Sequence, residues 1–322
     1  MKQYLILVSL LFLAFNSYSK QIAITFDDAP LGGSMLMSGE EKTAKIIKIL
    51  HSNNVKDALF FVTTGNIADE SSANRLKSYT NSGFHLAHHS HTHLSANKEE
   101  LTNYLSDFDQ ATNVLNSYDR VLNFHRFPYL HYGSTSEKRK AIANHLLKHD
   151  YRIGYVTIDN FDWYINAKLI NAVEQNLIID LDRLGNLYVD TLWQGIEFYD
   201  NLARKYLGRS PKHVLLLHEN ETAALFLGKL IQHIRSKGWE IITPQEAYQD
   251  PISESYQAAT YSFNKQGRVA AMLNELGIAK TELRHKSENT DYLDKQFEVY
   301  GVFSEKEDHS VVSANSIRYI MR

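Results

Sequence analysis

Two short stretches of this 322-residue chain concentrate the residue types that do chemistry. The first is Thr25-Phe26-Asp27-Asp28-Ala29-Pro30, where an apolar run ends in two adjacent carboxylates. Successive strand residues point to opposite sides, but a turn can bring both Asp side chains into one pocket, one binding a metal and the other taking a proton. Asp also caps helices and turns well, so the pair alone leaves both uses open. The second stretch is His89-Ser90-His91-Thr92-His93. His89 and His93 stand four apart, and over one helical turn that spacing puts both imidazoles on one face, within reach of a single divalent ion. Neutral imidazole suits Zn²⁺, with Co²⁺ or Ni²⁺ as alternatives, and a carboxylate from elsewhere would complete a His₂Asp set with positions open for water and substrate. A solvated His-rich loop is the plainer reading of such a cluster. It suits His85, His88 and His91, for which orienting the ligands from behind is the other role open.

The composition narrows what these residues can serve. Five of the 15 His fall between His85 and His93, an unusual density that calls for an explanation. There is no Cys, which excludes thiol catalysis and Cys-ligated zinc and leaves His and carboxylates to hold any metal. A formal net charge of −3, with both signs interspersed and no long Lys/Arg run, argues against nucleic acid as a partner. Residues 1–19 hold one cation, Lys2, then an apolar run and the small residues Ser17 and Ser19 before a cut. This pattern reads as a cleavable signal peptide and predicts a periplasmic or extracellular protein. The apolar run is shorter than the roughly 20 residues a membrane span needs, and no later segment is apolar enough to cross. The oligomeric state is open.

The elements that must position these residues follow from periodicity. Apolar, β-branched runs at 21–26, 58–63, 84–88, 123–127, 153–158, 213–217 and 239–242 read as strands. Between them, amphipathic patterns such as 41–51 and 98–115 read as helices. Strand alternating with helix over more than 200 residues predicts an α/β fold with a parallel sheet, and about seven strands favour a distorted (β/α) barrel. In such barrels catalytic groups sit where strands run into the following loops, which is where both stretches fall. The rhythm weakens where two helices, 166–184 and 195–207, follow one another. After Pro251 it stops. Three segments result: the leader 1–19, a barrel domain 20–250, and a helical C-terminal extension 251–322 with helices at 264–276 and 291–299 and no strong strand.

Three further groups fall at later strand ends: Arg126-Phe127-Pro128-Tyr129, Asp159-Asn160-Phe161-Asp162-Trp163, and Leu215-Leu216-Leu217-His218-Glu219. Each alone is ordinary, since Arg near a strand end often makes a surface ion pair and Asp beside Trp often caps its own loop. With the first two stretches, however, they form an ordered set. T-F-D-D, H-[ST]-x-x-H, R-x-P-[FY], D-x-x-D-W and L-x-L-H, in that order over residues 21–242, resemble the polysaccharide deacetylases of carbohydrate esterase family 4, related to nodulation-factor chitooligosaccharide deacetylases.

That resemblance implies a metal-dependent hydrolase that removes acetyl groups from N-acetylated sugars of a chitin-like polymer, peptidoglycan or exopolysaccharide. It makes Asp28, His89 and His93 the metal ligands, Asp27 the general base and His218 the general acid. Arg126 would pair with Asp27, and Asp159 would tune His218. The Tyr129 backbone N–H would help bind the oxyanion, and Trp163 would wall the acetyl methyl. The departures are Ala29 where Gly is usual, Ser90 where Thr is commoner, and His88 where Asn is frequent; none removes a reactive group. Tyr129, His131, Tyr132, Trp163 and Trp193 are candidate sugar platforms, with Tyr132 and Trp193 also reading as core. Residues 29–40 form a candidate lid or rim loop. An O-acetyl esterase acting on a xylan-like polymer, or a catalytically silent carbohydrate-binding protein, are the alternatives.

Overall fold

The structure, a computed structural model, describes residues 19–253 and 261–305; apart from Ser19, the expected leader lies outside them. In chain order the first half runs β1 (Gln21–Ala29), α1 (Gly39–Ser52), β2 (Leu59–Val62), α2 (Glu70–Asn81), β3 (His85–His88), α3 (Leu101–Leu115), β4 (Val121–His125), α4 (Ser136–Lys148) and β5 (Arg152–Ile153). There follow α5 (Asp162–Glu174), β6 (Ile178–Ile179), α6 (Leu181–Leu207), β7 (His213–His218), α7 (Glu221–Ser236), β8 (Glu240–Ile241) and α8 (Pro244–Ala247). The last elements are α9 (Arg268–Glu275), α10 (Thr290–Tyr300) and β9 (Phe303–Ser304).

β1 is central because its residues can be buried on both faces: Ile22, Ala23, Ile24 and Phe26 are all inaccessible to solvent. Continuous apolar strands of this kind are what a parallel sheet covered by helices requires. The sheet order is β5-β4-β3-β2-β1-β7, with β8 pairing the first residues of β1, and every pairing in it is parallel. Past β5, Ile158 makes an isolated parallel bridge to Leu215 of β7, with Leu216 N donating to the Ile158 carbonyl at 3.2 Å, and the sheet is curled but open. The result is the expected distorted (β/α) barrel. Helices start where side chains cap them: Ser38 and Glu41 cap α1 reciprocally, and Asn220 caps α7 through Ala223 N.

Three boundaries differ from the periodicity. The expected strand 153–158 stops after Ile153 because the chain bends over a buried arginine: Arg126 Nε donates to the Gly154 carbonyl at 2.8 Å. A Cβ at Gly154 would lie 2.5 Å from the Phe61 ring, so only glycine lets the chain pass there. The two helices expected at 166–184 and 195–207 become α5 and a longer α6, separated by a left-handed residue, Asn176 (φ 55°), and restarted by the Asp180 cap. Beyond residue 260 the described residues are mainly helical, yet β9 pairs antiparallel with β6. Phe263, Val269, Leu273, Leu283 and Phe297 join the same apolar core as the barrel.

Candidate active site

The site is built at the ends of β1, β3, β4 and β7. Register places Asp27 of β1 opposite His218 of β7. At Asp28 the backbone turns left-handed (φ 67°), an uncommon conformation outside glycine, and this lets two consecutive carboxylates serve one pocket. Thr63 Oγ1 donates to Asp28 Oδ1 at 3.1 Å, and Asn66 Nδ2 donates to its carbonyl at 2.9 Å.

His89 and His93 converge on Asp28, but not across a helical turn. Residues 89–95 form an irregular loop in which Ser90 and His93 are left-handed (φ 69° and 58°). α3 holds this loop from behind: Asp107 accepts from His91 N, Thr92 N and Thr92 Oγ1 at 2.8, 3.0 and 2.6 Å. The remaining histidines of the cluster are braces rather than solvated groups. His91 Nδ1 meets Thr64 Oγ1 at 2.8 Å, and His85 meets Asp57 at 2.7 Å. His88, pushed down to about 4 by burial, shares a hydrogen bond with His125 at 2.7 Å.

The donor set fits a divalent ion. His89 Nδ1–H donates to the Arg126 carbonyl at 2.8 Å, which fixes the tautomer and leaves the Nε2 lone pair facing Asp28 Oδ1 at 3.5 Å. His93 Nε2 lies 3.3 Å from the same oxygen. Tetrahedral zinc with bonds of about 2.0–2.1 Å separates its ligand atoms by about 3.3–3.4 Å. Burial first, and then the neighbouring His93, holds His89 well below the ordinary histidine range, so it is a neutral ligand rather than an ion-pair partner. Asp28, His89 and His93 thus form a divalent-metal site.

On one side of this triad Asp27 is clamped by Arg126, with Nη1 at 2.5 Å from Oδ1. Arg126 is fully buried, is stacked 3.8 Å from the Phe61 ring centroid, and also donates to Thr25 Oγ1 and the Tyr248 hydroxyl at 2.8 and 3.1 Å. Burial pushes the Asp27 carboxyl up, while Arg126 and His218 pull it back; the net direction is upward.

On the other side stands His218, and here one expectation is corrected. Its ring is oriented by Asp162, not Asp159: Nδ1 lies 2.7 Å from Asp162 Oδ1, and His218 N donates to Asp162 Oδ2 at 2.8 Å. Asp162 is the first residue of α5, so the helix start aims its carboxylate at the end of β7. Asp159 instead accepts from Asn160 N at 2.8 Å. Burial, with Glu288 beside it, pushes Asp159 well up. His218 loses protonation to burial but gains more from Asp162, then Asp28 and Asp27, and is pushed up to about 10.

These groups floor a cleft of about 990 Å³. Tyr129, left-handed at φ 58° and 56% exposed, sets its ring edge-on 4.5 Å from His93. Trp163, 43% exposed, also lines the cleft. Tyr132 is not a platform: it is 5% exposed and packed edge-on against Phe127 in a second core between α3 and α4. Trp193 is likewise core, against Trp239. His131 reaches the cleft wall with Nδ1 on Ser95 Oγ at 2.7 Å. The loop after β1 is a rim pinned in place, since Leu31 N donates to Glu219, itself buried on Arg75 and Tyr79. The far wall comes from beyond residue 260, as Lys265, Gln266, Arg284 and Glu288. No local pattern marks these four in the sequence. For Asp162, the D-x-x-D spacing offered both candidates.

The polysaccharide deacetylase family matches residues 16–148, which carry Asp27, Asp28, His89, His93 and Arg126. No curated protein matches the sequence. Among solved structures, the chitin deacetylase of the fungal pathogen Colletotrichum lindemuthianum is 20% identical, over 73% of this chain and 89% of the other, with a TM-score of 0.51. The peptidoglycan deacetylase PdaC of Bacillus subtilis is 19% identical (72% and 91% covered, TM-score 0.46). A family 4 carbohydrate esterase of Streptomyces lividans is 18% identical (71% and 95%, TM-score 0.46). Residues 16–148, which include the ligand triad assembled at the strand ends, thus match the polysaccharide deacetylase family, and the site is that of a metal-dependent hydrolase acting on N-acetylated sugars.

Proposed function

We propose that this enzyme removes acetyl groups from an N-acetylated glycan outside the cytoplasm, with Zn²⁺ held by Asp28, His89 and His93. The carrying observation is the convergence of two imidazole Nε2 atoms on one carboxylate oxygen, at 3.5 and 3.3 Å, between the buried Asp27 carboxylate and the part-buried His218 imidazole. An ion bound there supplies Lewis acidity, polarising the acetyl carbonyl and easing deprotonation of water.

The chain's own residues supply the proton transfers. Asp27, raised by burial yet kept ionisable by Arg126, accepts the water proton as general base. His218, held protonated by Asp162, donates to the departing amine nitrogen. The product pair is acetate and a free amine on the sugar. The Tyr129 N–H, in its left-handed turn at the cleft mouth, serves the developing oxyanion, a contribution of about 3–4 kcal/mol when one such donor is removed. The exposed face of Trp163 receives the acetyl methyl and adjoining sugar. The expected leader supports export.

The test is acetate release from chitooligosaccharides, peptidoglycan and acetylated xylan, run with metal analysis of the same preparation. Release from the first or second, dependent on bound metal, supports the reading. Release from xylan alone makes the enzyme an O-acetyl esterase, and a metal-free protein that binds sugar without turnover defeats the catalytic assignment.

A further inference from the structure

On the outer side of α3, away from the cleft, Asp109 faces the end of α4 and meets His145 and His149. His145 stands in the last turn of α4 and His149, four residues on, is its C-cap residue; their ring centroids are 4.5 Å apart. Asp109 Oδ1 lies 2.7 Å from His145 Nε2 and 3.8 Å from His149 Nε2. Phe108, the residue before Asp109, packs edge-on against both rings at 5.4 and 6.0 Å and sets their planes. All three ligand atoms lie within 4.8 Å of one another.

The donor types repeat the His₂Asp set of the cleft, on a different scaffold and with wider access. Ligand atoms around tetrahedral zinc stand about 3.3–3.4 Å apart, between the two distances present, so a small rotation of the rings satisfies the geometry. A histidine in the last turn of a helix is also favoured by the macrodipole and can pair with a carboxylate unaided. That account needs His145 and Asp109 only; it leaves the approach of His149 to the same oxygen without a purpose.

We infer that Asp109, His145 and His149 form a second divalent-ion site, of the zinc type, tying α3 to α4. Its consequence reaches the cleft. Asp107, two residues before Asp109 on α3, holds the His91–Thr92 backbone of the catalytic ligand loop. An ion clamping α3 to α4 stiffens the support on which His93 rests.

The experiment is calorimetric titration of the purified, chelator-stripped full chain with Zn²⁺ alone, beside melting curves. The wild type is expected to bind two Zn²⁺ per chain, and His145→Ala/His149→Ala one. Asp28→Asn/His89→Ala is also expected to bind one, at the α3–α4 site. The second equivalent should raise the melting temperature of the wild type by several degrees and leave that of His145→Ala/His149→Ala unchanged. Asp109→Asn, which keeps both rings, guards against a folding artefact and should weaken the second site at least tenfold. One Zn²⁺ in the wild type, or two in the His145→Ala/His149→Ala protein, overturns the inference. If the wild type and Asp28→Asn/His89→Ala both bind two and His145→Ala/His149→Ala binds one, the catalytic reading fails and this one stands.

Discussion

Replacing Asp162 by Asn separates the two aspartates of the D-x-x-D segment. The carboxylate is buried and accepts from both His218 Nδ1 and His218 N, at 2.7 and 2.8 Å. His218 is pushed from 6.5 up to about 10, with Asp162 the largest of the groups lifting it against burial. At about 1.4 kcal/mol per pH unit, the gap favours the imidazolium by about 5 kcal/mol. An ion held by Asp28 takes back part of that lift, so the loaded enzyme titrates lower, but the Asp162 share persists. An Asn side chain has one acceptor oxygen for two donors, so either the ring or the backbone N–H loses its partner, at about 1–3 kcal/mol for the orphaned group. The sign follows from the role: the acid must be protonated, activity is lost as pH rises through its pKa, and a lower pKa moves that loss to lower pH. Asp162→Asn should therefore cut kcat about 10²–10³-fold, within the span of general acid catalysis, and bring the alkaline limb of the kcat profile down by about 2 pH units. Asp159→Asn should leave that limb in place. Acetate release across pH 5 to 11 on one substrate reads both. A wild-type limb in Asp162→Asn together with a displaced one in Asp159→Asn would refute the assignment.

Asp27→Asn should retain the bound metal while losing at least about 10²-fold in turnover, whereas His89→Ala should lose metal and turnover together; elemental analysis beside the assay distinguishes them. Arg126→Met leaves the buried Asp27 carboxylate uncompensated and should cost about 3–5 kcal/mol of folding stability in denaturant melts, with Asp27→Asn added on top recovering part of the loss. Trp163→Ala should raise KM for the glycan several-fold with the melting temperature kept. Tyr132→Ala should do the reverse, losing about 3–5 kcal/mol as a core truncation while KM holds.

The legibility of the site followed the length scale of its parts. Apolar runs punctuated by carboxylates and histidines located the ends of β1, β3 and β7, because a strand buried on both faces must read as apolar and must stop where polar side chains begin. The pairing of Arg126 with Asp27, taken from family resemblance, is present at 2.5 Å. What went astray depended on backbone direction. The His89–His93 spacing suggested a helical turn, yet two left-handed residues in a loop achieve the convergence. The choice between Asp159 and Asp162 turned on where α5 begins, and element boundaries are set by packing on neighbours rather than by the local residues. Tyr132 carried a platform's chemistry but was drawn into the core between α3 and α4.

By itself the sequence determined the alternation of strand and helix, the absence of thiol chemistry and the residue types offered to a metal, since these depend on side-chain chemistry and period alone. Only the tertiary structure decided which aspartate orients His218, that three of the clustered histidines are braces, and that Lys265, Gln266, Arg284 and Glu288 wall a cleft whose ligand triad, Asp28, His89 and His93, lies far earlier in the chain. Those outcomes rest on contacts between segments far apart in sequence, whose partners are chosen by the packing of the whole core and leave no local pattern to read.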